Sequence, residues 1–285
     1  MIDIILPTGA MGNIVAGYMS QLMGLPIRKL VAAVNINDIM YQTINYGTFH
    51  KSARMERTMS EAINIQVPYN FERMIYYITN ENDEVVREYY KNLETTDQMT
   101  IPLDYLQKIQ SIFQSARVTD TQMCDAIRYV YNRYNQYMID PHTAVAFSAA
   151  FQLQYILRQH QQQQQPETVS VEPATFHQNH DSTTVILATA SPCKFEHSVS
   201  TAVGTSTWDT YLNSTAYPVQ AKQILSMQSD DTTKSNSNIN NIECSRIHHY
   251  TNPSNISVSE IQREWEELTR NLIEQLESKN GVKPK

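Results

Sequence analysis

The run Pro7-Thr8-Gly9-Ala10-Met11-Gly12-Asn13 has the residue types and spacing of an anion-binding turn. It follows a short apolar, β-branched stretch, Ile2 to Leu6, and precedes Ile14, Val15, Tyr18, Met19 and Leu22, which recur at helical spacing. A glycine turn between a strand and a helix leaves backbone N–H groups unbonded and aims the positive end of the helix at the same point. Donors and dipole then favour a phosphate together. No Gly-Lys-Ser/Thr follows, so this is not a Walker A loop, and the spacing does not fit Gly-x-Gly-x-x-Gly. On spacing alone, phosphate binding and a plain tight βα turn are evenly matched.

Other polar residues carry two readings each. Asn35, Asn37 and Asp38 end a second apolar run, where α/β enzymes place ligand groups, yet Asn37 or Asp38 also suits the cap of a following helix. His142, in Asp140-Pro141-His142, either titrates beside a site or packs at a helix start. Thr189 reads as a strand-end hydroxyl. His160, His177 and His180 are too irregularly spaced for a metal tract, and Tyr129, Tyr131, Tyr134 and Tyr137, without clustered bases, read as packing. Cys124, Cys193 and Cys244 form no Cys-x-x-Cys pair, which fits a reducing compartment.

The elements around these residues follow from periodicity. Ile2 to Leu6 reads as a buried strand, Asn13 to Met23 as a helix capped near Gly24, and Leu30 to Val34 as a second strand. This βαβ unit implies a parallel sheet with helices on its faces. From Ile36 to Leu157 the pattern is mostly helical, with amphipathic helices at Phe71 to Ile78, Glu84 to Leu93, Leu103 to Phe113 and Thr121 to Tyr137, and another opening at Pro141 with Asp140 as its cap. Residues 158–182, with a glutamine run, are expected to be a disordered insert. Thr184 to Ala188 returns as a buried strand. Residues 226–256 read as a Ser/Asn-rich linker, and 257–279 as an amphipathic helix opened by Ser257 and Glu260. The formal net charge of -7 argues against a nucleic-acid partner. No apolar run reaches the ~20 residues that span a bilayer, and a soluble, cytoplasmic protein is expected.

PTGAMGN, followed by an apolar helix and GLPI, resembles the phosphate cup of the threonine synthase family, Pro-Thr/Ser-Gly-Asn-Phe-Gly-Asn/Asp. Four further segments resemble that family in the same order: LVAAVNINDI (Leu30 to Ile39), INIQVPYNFERM (Ile63 to Met74), IDPHTAVAF (Ile139 to Phe147) and ILATASPCKF (Ile186 to Phe195). The PTGA opening and the VPYN wording are most similar to the threonine synthase-like 2 branch.

The resemblance implies an α/β chain with an incomplete type II pyridoxal-phosphate (tryptophan synthase beta-like) fold. Residues 1–157 and 183–225 would form a portion of its large domain. It implies pyridoxal 5'-phosphate as cofactor, its phosphate on Gly9, Ala10, Met11, Gly12 and Asn13 and its pyridine nitrogen near Thr189, with Asn35, Asn37, Asp38 and His142 as substrate-lining candidates. The implied substrate is a small phosphorylated amino acid. The implied reaction is a phospho-lyase step from O-phosphohomoserine or O-phosphothreonine to 2-oxobutyrate and phosphate.

Three departures stand out. Ala10 and Met11 replace Asn-Phe, a mild change where backbone groups hold the phosphate. Ser191 replaces a His. The family's Schiff-base lysine lies in a Phe-Lys-Asp context upstream of the glycine loop, and none of the ten lysines here has that context; Lys194 matches a later lysine of the family. No catalytic residue is therefore assigned, and the expectation is a fragment inactive on its own. The competing reading is a non-enzymatic isoform or remnant that acts by binding, associating through an exposed sheet edge.

Overall fold

The computed structural model describes residues 1–155 and 183–230. The glutamine-rich insert, the helix expected at 257–279 and most of the expected linker lie outside these residues. The chain divides into two compact units, Met1–Lys222 and Gln223–Lys285, and every strand among the described residues belongs to the first.

A four-stranded parallel sheet organises that unit, in the order β5-β2-β1-β6. Strand β1 (Ile2–Pro7) leads through α1 (Gly12–Leu22) to β2 (Ile27–Val34), the βαβ unit expected from the sequence. α1 ends where Gly24 takes φ 101 and the amides of Gly24 and Leu25 bond back to Gln21 and Ser20, a Schellman closure that favours glycine. Alternation along β2 divides its side chains between two cores. Leu30, Ala32 and Val34 join Leu6, Ile14, Tyr18 and Phe113 on one face of the sheet, while Val31 and Ala33 join Ile5 and Ala116 on the other. Asp3, buried within β1, is matched by the forked guanidinium of Arg28 on β2.

The first core is closed by α2 (Ile39–Tyr46), α3 (Phe71–Ile78), α4 (Asp83–Thr96) and α5 (Leu103–Ile112). The second is closed by α6 (Asp120–Arg133), α7 (Pro141–Gln152), α8 (Glu196–Val203) and α9 (Thr205–Asn213). β3 (Thr48–His50) and β4 (Gln98–Thr100) form a small antiparallel pair beside the sheet.

Three expectations need correction. The stretch 36–157 is not helical throughout, because it contains β5 (Phe113–Arg117), a full member of the sheet. Phe113 was expected to close a helix; instead it turns to φ -104, ψ 148 and starts the strand with no intervening loop. The helix expected to reach Tyr137 stops at Arg133, since Asn135 and Gln136 take φ 48 and 60. Residues 226–230 belong to α10 (Val219–Asp230) rather than to a linker, in keeping with a VQAKQILSMQSD sequence free of Gly and Pro. β6 (Thr183–Ile186) lies at the sheet edge beside β1, so the chain leaves β1 and β6 at the same end of adjacent parallel strands. Crevices at that end are where open α/β sheets bind ligands.

Candidate functional site

Pro7, last in β1, has no N–H to give, and its carbonyl accepts the Asn13 Nδ2 at 2.8 Å. The Thr8 amide still bonds to Ala33 of β2, and its hydroxyl donates to the Leu6 carbonyl. Beyond it the ladder ends. The amides of Gly9, Ala10, Met11, Gly12 and Asn13 have no acceptor among the described residues, and α1 begins at Gly12. Met11 stands at the helix cap in the left-handed region (φ 68), with its side chain buried on the α1 side of the core. That conformation costs a non-glycine residue roughly 1–2 kcal/mol, which burial of the thioether chain offsets. Asn70 fixes the loop from outside: its amide and its Nδ2 both donate to the Ala10 carbonyl, at 3.2 and 2.8 Å.

These five residues line a cavity of about 360 Å³ that also reaches Ile63, Asn70, His142, Thr189 and Phe195. The volume lies in the ~300–1,000 Å³ range of small-ligand pockets. Among the described residues, no acidic or basic side chain other than His142 lines it, so none of them repels an anion. Thr189 lies past the end of β6; its amide donates to the Thr143 Oγ1 at 3.4 Å, and its hydroxyl has no partner among the described residues. The structure thus brings together Gly9, Ala10, Met11, Gly12, Asn13, Thr189 and His142.

His142 serves as a strut. Its Nε2 accepts the Ala62 N–H at 3.0 Å, which leaves Nδ1 as the donor to the Asp140 Oδ1, also at 3.0 Å, and its ring stands edge-on to Phe195. With both nitrogens committed, the neutral imidazole has no lone pair or proton to offer the cavity. Burial pushes the Asp140 carboxyl up, but hydrogen bonds from the His142 and Thr143 side chains and backbone amides outweigh it and hold the group below its ordinary value.

Asn35, Asn37 and Asp38 are not brought to this cavity. Asn35 is buried in a polar knot, its Nδ2 reaching the Thr58 Oγ1 and the Asn64 Oδ1 and its Oδ1 accepting the Asn37 amide. Asn37 exchanges two hydrogen bonds with the backbone of Glu56. Asp38 stands at the cap position of α2 without capping it, and pairs with Arg117 at 3.2 Å. Asn37 and Asp38 line a separate cavity of about 270 Å³ with His50 and Arg54. A larger hollow of about 920 Å³ between α3 and α4 mixes Glu72, Asp83 and Glu94 with Arg73, Arg87 and Lys91, and includes none of the expected site residues. Volume alone does not choose the site. Among the described residues, no three His, Cys, Asp or Glu side chains could hold a metal ion, and no helix is long and apolar enough to cross a membrane.

The sequence reading missed Asn70, Ala62 and Thr143. The first two lie in or beside the INIQVPYN segment and the third follows His142, but their backbone and side-chain partners lie far along the chain.

A glycine loop at the carboxyl end of a parallel strand, with a helix behind it and a second strand end facing it, is the arrangement by which α/β folds seat a phosphorylated ligand. No protein-family model matches the chain. The described fold is similar to the crystal structure of threonine synthase from yeast (TM-score 0.65, 26% identity, 79% of this chain and 42% of that one). It is also similar to that of a pyridoxal-phosphate-bound threonine synthase from Brucella melitensis (TM-score 0.60, 29% identity, 72% of this chain and 38% of that one). Human threonine synthase-like 2 is 36% identical over 152 residues, 53% of this chain and 31% of the human one. In sequence and in fold the chain is thus similar to threonine synthases, and it spans about a third of the length of that curated relative.

Proposed function

We propose that these residues form the cofactor-seating part of a threonine synthase-like, pyridoxal-phosphate-dependent phospho-lyase. It would act on a small phosphorylated amino acid, O-phosphohomoserine or O-phosphothreonine, to give 2-oxobutyrate and phosphate. One observation carries this reading: five consecutive amides, Gly9 to Asn13, stand unbonded among the described residues at the start of α1 and line a cavity closed by Thr189. Unpaired amides at a helix start favour a phosphoryl group over any neutral ligand. The residues therefore fit the cofactor.

When bound, pyridoxal phosphate supplies an electron sink for carbanion chemistry at the substrate's α-carbon. The rest belongs to the protein. The amides of Gly9 to Asn13 would hold the phosphoryl group and the Thr189 hydroxyl would serve the ring; Asn70 fixes the loop by holding the Ala10 carbonyl, and Phe195 and Ile63 line the wall. Among the described residues, no lysine lines the cavity. These residues accordingly bind and orient the cofactor rather than move a proton at the reacting carbon.

The test is a fluorescence titration of the chain with pyridoxal 5'-phosphate and with unphosphorylated pyridoxal. Saturable binding of the phosphate ester, at least tenfold tighter than pyridoxal and abolished by Gly12→Leu, is expected. Equal affinity for the two compounds would discard the phosphate cup. Phosphate release from O-phosphothreonine by this chain alone would refute the division between seating and proton transfer.

A further inference from the structure

We propose that Asp140 is a positioning residue for the cavity, setting its two walls through two side-chain relays. The inference rests on the cofactor reading above and adds to it a group that does not touch the ligand space.

Asp140 is 1% exposed and lies outside the cavity lining. Its Oδ1 accepts the amides of His142 and Thr143 at 2.9 and 3.3 Å, which is the ordinary work of an N-cap on α7. Two further bonds exceed what a cap requires. The His142 Nδ1 donates to Oδ1, and the Thr143 hydroxyl donates to Oδ2 in a short contact. A carboxylate only accepts, so it settles the direction of both bonds. The imidazole must carry its proton on Nδ1, and the hydroxyl must spend its own on Asp140.

Each of those side chains then turns a lone pair toward a backbone amide. The His142 Nε2 accepts the N–H of Ala62, fixing the turn Glu61–Ile63. Ile63 in that turn packs so closely on Gly9 that a Cβ added there would stand 2.9 Å from the Ile63 Cα. The Thr143 Oγ1 accepts the N–H of Thr189, at the end of β6. One buried carboxylate thus holds the phosphate wall through His142 and the opposite wall through Thr143. With the other tautomer, two N–H groups would face each other at Ala62, and with the hydroxyl turned round Thr189 would lose its acceptor.

The two relays make separable predictions. Amide hydrogen exchange is followed over residues 61–63 and 187–190 in the ligand-free chain, and affinities for pyridoxal 5'-phosphate and inorganic phosphate are measured on the same proteins. Thr143→Val should speed exchange at 187–190 at least tenfold and leave 61–63 unchanged. It should weaken pyridoxal 5'-phosphate about tenfold and leave inorganic phosphate alone. Thr143→Ser keeps the hydroxyl and should restore wild-type values in every readout. Asp140→Asn should speed exchange in both segments and weaken both ligands. Unchanged exchange at 187–190 in Thr143→Val overturns the inference whatever the ligand does, and so does an equal change in both segments, which is general loosening. A wild-type chain that binds neither probe but shows the split exchange pattern removes the cofactor reading and supports the relay as a property of the fold.

Discussion

Gly9 and Gly12 stand in one short loop but are glycines for different reasons. At Gly9 the obstacle is protein: the Cβ position is 2.9 Å from the Ile63 Cα and 3.2 Å from its Cβ, and backbone cannot step aside. At Gly12 the nearest atom is the Asn70 Nδ2 at 3.5 Å, an ordinary contact. Gly9→Ala should therefore destabilise the fold by about 1–3 kcal/mol. Gly12→Ala should leave stability unchanged or raise it by about 0.4–1 kcal/mol through the unfolded chain, while weakening phosphate binding, because its methyl group occupies ligand space. Urea unfolding and pyridoxal 5'-phosphate titration on both variants decide this; equal stabilities would show that the turn at Ile63 does not dictate Gly9. The glycine loop itself was legible, since strand, glycine turn and helix follow each other directly. The partner that makes Gly9 obligatory was not, because Ile63 reaches it only through the tertiary fold. Nor was Met11 in the left-handed region, which an unbranched apolar residue does not announce.

Helix α7 shows what sequence can state about an element and where it stops. Asp140 before Pro141 marks an N-cap followed by a proline at the first helical position, and the structure places α7 there. The same local logic marks α6, where Thr119 and Gln122 form a capping box. β5 was illegible for the opposite reason. FQSAR has no continuous apolar run, and what makes it a strand is pairing with β2, a contact no local pattern encodes. The α7 cap also carries a pH signature. The Asp140 carboxyl is held below the ordinary Asp value of 3.8, so the unfolded chain binds the proton more readily than the folded one. Its contribution is complete above about pH 4 to 5 and is lost as pH falls through the folded value. The urea midpoint of the wild type should exceed that of Asp140→Asn by a constant margin near neutrality, and the margin should shrink below about pH 4. A margin that persists undiminished at pH 3 would mean that the carboxylate's charge adds nothing to the cap.

At the scale of the molecule, the two borders of the sheet are unlike. α2 packs along β5, and the Asn45 side chain reaches the Ser115 carbonyl at 3.5 Å. β6 pairs with β1 alone among the described residues, and Val185 on it is 40% exposed. A parallel strand with one edge unpaired among the described residues, and an exposed β-branched residue on it, is a template for another strand, and such edges are ordinarily covered or charged. Against association stands the net charge of -7, which makes copies of the chain repel. The repulsion acts through solvent and is screened within ~10 Å at 0.1 M salt, whereas strand pairing is local and nearly salt-independent. The two effects separate in one experiment. Sedimentation velocity should show association that increases with protein concentration and strengthens between low and moderate salt. Val185→Lys, which places a charge on the exposed side of β6, should return the chain to a single monomeric species at both salts, with its melting temperature unchanged. Association that survives Val185→Lys would assign the contact to another surface, such as the exposed Leu22, Met23 and Leu25 at the end of α1. A wild type that stays monomeric at moderate salt would show that β6 does not recruit a second chain.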